Sequence, residues 1–181
     1  MTPEDVLQFW FSGDLTANRE VWFQRDPMFD THCTRFAEAH AAATGGALDG
    51  WAETPEGALA LIILLDQFPR NLYRDQPEAF VADAKARKQA RTAVARGFDQ
   101  RVPPAARLFF YLPFEHSEEL SDQEEAVRLL ASLGDATISE YALRHRAVIR
   151  RFGRFPHRNA ALGRIGTAEE IAHLAEHESG F

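Results

Sequence analysis

Eight consecutive apolar residues, Ala58-Leu59-Ala60-Leu61-Ile62-Ile63-Leu64-Leu65, follow the triplet Thr54-Pro55-Glu56 by one position. Thr54 is a favoured N-cap type, Pro55 suits the first helical position, and Glu56 puts a carboxylate at the positive end of the helix dipole. The run is therefore read as a helix without a polar face. Such a helix has to be enclosed by the rest of the chain. It is far short of the ~20 residues that cross a bilayer, so it predicts the central buried helix of a globular fold and no membrane span.

The remaining sequence supplies helices to enclose it. Thr2-Pro3-Glu4-Asp5 caps a helix running through Val6 to Phe11. Asp26-Pro27 opens a second, through Phe29, Cys33 and Phe36 to about Ala43, ended by Gly45-Gly46. Pro77 is expected to start a long amphipathic helix ending near Gly97. Ser121 with Glu124 reads as a capping box before a helix that stops at Gly134, and Thr167 with Glu170 reads as another. Between them a helix spans about Thr137 to Phe152, with Gly153 just past its end. No segment alternates apolar and polar residues as a half-buried strand does. The expectation is an all-α fold of seven to eight helices in one domain over residues 1–181. With 14 Phe and 3 Trp and 45% hydrophobic residues, the chain has ample material for a core. The single Cys33 excludes an internal disulfide or a cysteine-based metal cluster, and residues 1–15 lack the features of a signal peptide, which gives a cytoplasmic expectation.

Charge is unevenly distributed. The net charge is −7, yet Tyr141 to Ala168 holds seven arginines and no acid, leaving −14 on the remainder. The acidic remainder argues against nucleic-acid and membrane-surface partners. The arginine stretch has two readings: pairing with acids elsewhere in the chain, or a local site for a carboxylate or phosphate.

Two short blocks echo each other, Phe68-Pro69-Arg70-Asn71 and Phe155-Pro156-His157-Arg158-Asn159, each expected just beyond a helix end because a residue before proline disfavours helical geometry. Together with Leu64-Leu65-Asp66-Gln67, Leu112-Pro113-Phe114-Glu115-His116-Ser117-Glu118 and Arg151-Phe152-Gly153-Arg154 they form three blocks in fixed order. These blocks, with Phe9-Trp10-Phe11 and Trp22-Phe23, resemble the signature of a bacterial family known as domain of unknown function 924. The resemblance covers nearly the whole chain. It implies a tetratricopeptide-like helical fold, a degenerate right-handed superhelix, and implies no activity.

Within these blocks the candidate ligand-binding residues are Asp66, Arg70, Asn71, His116, Glu118, His145, Arg151, Arg154, His157, Arg158 and Asn159. Asp66 ends the apolar helix, where a buried carboxylate needs a cation, and the expected partner is Arg151, Arg154 or Arg158. His145 lies on an apolar stripe from Ile138 to Phe152 and reads foremost as a hydrogen-bonded core histidine. No spacing of His116, His145 and His157 supports a metal site, and no cofactor motif is present. His173 and His177 read as a solvated helix face. Phe109-Phe110-Tyr111 cannot all face one core, so one of them is expected to reach a groove or partner. The favoured reading is a binding module for an anionic small molecule or acidic peptide, with Asp66, His116, His145, Arg154 and Arg158 in one neighbourhood. The alternatives are an enzyme using His116 or His157 with Asp66 as acid and base, and a packing scaffold that forms a homodimer.

Overall fold

The computed structural model describes residues 1–177, and among them the chain is helical without a strand. The helices are Pro3–Trp10 (α1), Pro27–Cys33 (α2), Ala37–Thr44 (α3), Pro55–Asp66 (α4), Phe68–Leu72 (α5), Asp83–Ala95 (α6), Pro104–Glu115 (α7), Leu120–Ala131 (α8), Ala136–Phe152 (α9) and Ala168–Glu176 (α10), joined in places by short 3-10 turns. None of them is long and apolar enough to cross a membrane. The chain divides into two compact units. Met1–Arg74 with Glu78–Pro113 form the first, and Asp75–Pro77 with the residues from Phe114 onward form the second.

The first unit is built around α4, whose residues Ala58 to Asp66 are all buried and which packs against α1, α3, α5 and α6. Each fully buried leucine or isoleucine there contributes roughly 2 kcal/mol from loss of hydrated apolar surface. Thr54 caps the helix by accepting from the Gly57 amide at 3.1 Å. His40 of α3 ties the other end, its Nδ1 donating to the Leu64 carbonyl at 2.9 Å. Aromatic rings from α1 close the side: Trp10 lies 5.2 Å from Phe68 and 5.7 Å from Phe109, and the Trp22 indole donates to the Trp10 carbonyl at 3.0 Å.

Gly57 shows how tightly α4 is held. A Cβ at this position would sit 2.2 Å from the Trp51 carbonyl oxygen. Glycine to alanine in an open helix normally gains close to 1 kcal/mol. Here the sign reverses, and Gly57→Ala is expected to cost about 2 kcal/mol in a denaturant melt.

Three local expectations need correction. Pro77 starts only a 3-10 turn, Pro77–Phe80, and the amphipathic helix begins at Asp83. Ser121 lies inside α8, whose N-cap is Glu119. The start of that helix is held instead by Ser117, which donates to Asp122 at 2.8 Å and accepts from the Glu119 amide at 3.2 Å. Phe109, Phe110 and Tyr111 are all buried. The Tyr111 hydroxyl meets its need for a partner by donating to Asp99 at 2.6 Å, which lets the whole turn face inward.

The second unit pairs α8 with α9, and α10 packs on the 3-10 turn Pro156–Arg158. Val148, Ile149 and Phe155 form one apolar cluster there, with Phe152 against them. Gly153 ends α9 at a φ of 69°, a left-handed conformation that glycine adopts without a Cβ penalty.

Candidate functional site

Asp66, Arg70 and Asn71 belong to the first unit; His116, Glu118, His145, Arg151, Arg154, His157, Arg158 and Asn159 belong to the second.

In the first unit Asp66 is fully buried, and the cation beside it is Arg70, with nitrogen and carboxylate oxygen 3.4 Å apart. Arg70 also donates to the Asp66 backbone carbonyl and pairs with Asp83 at 3.1 Å. The expected partners were Arg151, Arg154 or Arg158. The difference follows from Phe68, which is helical despite preceding Pro69, because Pro69 falls in the first turn of α5 and needs no amide partner there. The chain continues helically and brings Arg70 one turn beyond Asp66. Asn71 and Arg74 both donate to Asp30, at 2.8 Å and 2.6 Å. The residues of this block are engaged in holding helices together.

The second unit spends several arginines in the same way. Arg154 makes a two-pronged contact with Glu170, at 2.6 Å and 2.8 Å, and donates to the Ile165 carbonyl. Glu170 is buried and also accepts from the Thr167 amide at 2.7 Å and from Asn159 at 3.3 Å. The Arg154 hydrogen bonds hold the Glu170 carboxyl down to about 2, against the opposing cost of burial. Arg164 grips Glu118 with both Nη atoms, at 2.8 Å and 2.9 Å, and the Phe155 amide donates to the same carboxylate. Arg151 pairs with Glu169 at 2.8 Å on the surface. The acid-free arginine stretch is thus largely answered by acids that flank it in sequence, Glu118, Glu169 and Glu170.

His116, His145 and His157 cluster with Arg158. His145 is buried on α9, its Nδ1 donates to the Tyr141 carbonyl at 2.9 Å, and Glu115 lies 3.6 Å away. Donation through Nδ1 fixes the tautomer and leaves Nε2 as an acceptor. Burial pushes the His145 imidazole down to about 3, with the positive field of His116, His157 and Arg158 acting in the same direction. His116 follows α7 directly and is half-buried; His157 is exposed on the 3-10 turn. Arg158 is buried, donates to the His116 carbonyl at 2.9 Å and stacks 4.5 Å over the Phe155 ring. Asn159 is buried, and its Oδ1 accepts no hydrogen bond from the described residues. Among the described residues no group of three or more His, Cys, Asp or Glu side chains is placed to hold a metal ion.

His145 yields a direct prediction. Its folded value lies below the 6.5 of an unperturbed histidine. The unfolded chain then binds the proton more tightly, so folding stability falls as pH drops from about 6.5 toward 3. A proton NMR titration is expected to show the His145 ring unprotonated between pH 5 and 8.

Sequence reasoning missed Glu170 and Arg164 as partners in this region. Glu170 was legible as a capping residue but not as the acceptor of an arginine sixteen positions earlier. The helix carrying His173 also differs from expectation. His173 is buried against Phe152, with ring centroids 5.1 Å apart, and is not solvated.

A solved structure of a protein of unknown function from Agrobacterium tumefaciens is 43% identical, with a TM-score of 0.90 over 96% of this chain and 97% of that one. No curated protein matches the chain. Residues 6–178 match the bacterial protein family of unknown function numbered 924, and the chain belongs to that family.

Proposed function

We propose that the protein is a binding module for an anionic group, a phosphorylated small molecule or an acidic peptide, and that His116, His157, Arg158 and Asn159 receive it beside His145. The observation that carries this reading is a grouping of donor types: the Arg158 guanidinium donates to the His116 carbonyl at 2.9 Å, and His116, His157 and Arg158 all lie near enough to buried His145 to act on it electrostatically, with Glu115 3.6 Å from the ring. A guanidinium and imidazoles gathered at one place supply the donors an anion needs. The unsatisfied Asn159 Oδ1 supplies an acceptor for a donor carried by the same ligand. Arg151 and Arg154 act as positioning residues in this reading, because their guanidinium groups are occupied by Glu169 and Glu170. The enzyme alternative pairs His116 or His157 with Asp66, whose buried carboxylate is taken up by Arg70 and Gln67.

The test follows the histidine ring protons during titration with inorganic phosphate and, separately, with a glutamate-rich hexapeptide. Saturable shifts at His116 and His157, lost in His116→Gln, support the site. Shifts that persist unchanged in His116→Gln, or none at all, overturn it. Turnover of a phosphate or carboxylate ester that disappears in His116→Gln replaces the binding reading with the enzymatic one.

A further inference from the structure

The first unit contains a cavity of about 600 Å³ between α1, the turn that follows it and α2, within the size range of small-molecule sites. The Phe29 and Phe36 rings at its base are 5% and 1% exposed, and the Arg19 guanidinium lies 5.4 Å from the Phe29 centroid, so the base offers no open apolar seat. What the walls present is polar. The Met1 amino group, Arg19, His32 and Arg35 bring N–H donors and positive charge, and Gln8 and Ser12 add an amide and a hydroxyl.

Most of these groups are unspent. The Arg35 guanidinium rests 4.4 Å over the Phe9 ring and 4.9 Å over Phe36, and among the described residues it makes no hydrogen bond and no ion pair. All its N–H donors are available, while the ring faces limit where the fork can point. Arg19 is anchored by Nη1, which donates to the Phe9 and Trp10 carbonyls at 2.9 Å and 2.6 Å, and its other nitrogens have no acceptor among the described residues. The side chains of Gln8, Ser12 and His32 make no hydrogen bond among the described residues either. Asp5 differs: its carboxylate accepts from the Thr2 amide at 2.8 Å in the α1 capping box.

We infer that this cavity binds a phosphorylated polyol, its phosphoryl group on Arg19, His32 and Arg35 and its hydroxyl-bearing body on Gln8 and Ser12. Charge selects the class. Arg19, Arg35 and the Met1 amino group stand against one lining carboxylate, Asp5, and the surplus of two positive charges matches a phosphomonoester dianion. Shape agrees with charge. The donors come from separate segments, Met1, Arg19 and the stretch from His32 to Arg35, and so meet a tetrahedral phosphoryl group from different sides. A planar carboxylate is satisfied by a single guanidinium fork and leaves the other donors idle. The polar walls and the covered rings select a hydroxyl-bearing body over an apolar one. The inference is independent of the histidine cluster in the second unit.

The experiment follows the histidine ring protons by NMR during titration with ribose 5-phosphate, with ribose and with inorganic phosphate. It is run at pH about 7.5, above the second phosphate ionisation near 6. A saturable shift of the His32 ring is expected with ribose 5-phosphate, about tenfold weaker binding with inorganic phosphate, and no shift with ribose. Arg35→Met is expected to weaken ribose 5-phosphate by about tenfold or more without lowering the Tm, because Arg35 holds no other group in place. His116→Gln should leave the His32 response unchanged. A His32 shift with ribose alone, inorganic phosphate bound as tightly as the sugar phosphate, or an unaffected Arg35→Met would each overturn the inference. So would the absence of a saturable His32 shift, even where His116 and His157 respond.

Discussion

Asp66→Ala is expected to lower stability by about 3–5 kcal/mol, the typical cost of removing one partner of a buried ion pair. Asp66 is fully buried at the end of α4 and accepts from the Gln67 amide at 2.5 Å as well as facing Arg70. Arg70 is only a fifth exposed, so losing Asp66 leaves a guanidinium that only Asp83 of the pair can answer, and leaves the Gln67 amide without its acceptor. Asp66→Asn separates the contributions. It keeps the volume and one acceptor but removes the charge, and should recover part of the loss. Urea melts of the two variants against the parent read the difference directly. An alanine variant as stable as the parent would show that the pair contributes nothing.

Glu170→Ala should be the other large effect, about 3 kcal/mol by the same reasoning. One buried carboxylate there serves Arg154, Asn159 and the capping of α10, so its removal releases three contacts at once. It also changes the pH profile. The folded carboxyl titrates near 2 and the unperturbed one near 4.5. The stabilisation is therefore complete above pH 4.5 and is lost as pH falls toward 2. Glu170→Ala should flatten the acid limb of the stability curve in that window. The His145 contribution is lost at higher pH, starting near 6.5, so the two limbs can be told apart in one series of melts.

Much of the fold was legible because helix caps are local. Thr2, Asp26, Thr54 and Thr167 cap as their types and spacing require, since each hydrogen bond closes within three residues. Gly153 ends α9 for an equally local reason. The failures come where a local signal had a stronger neighbour. Pro69 looked like an exit but serves as the opening residue of α5. Ser121 looked like a cap but Ser117 reached α8 first.

The candidate site was legible as residues and not as pairings. The acid-free run of arginines announced that charge had to be answered somewhere, and the apolar run of α4 announced a buried carboxylate at its end. Which acid answers which arginine depends on side chains separated by 16 to 46 positions, as with Arg154 and Glu170 or Arg164 and Glu118. Sequence alone determined that the chain is all-helical, that α4 is buried, and where α1, α2, α4, α9 and α10 start, because those depend on periodicity and on bonds closing within a turn. Only the tertiary structure decided that most of the motif arginines are clamps, that His145 is neutral, and that the unspent guanidinium at Arg35 lies on aromatic rings beside a cavity. Those outcomes rest on burial and on distances between residues remote in the chain, quantities that no local pattern encodes.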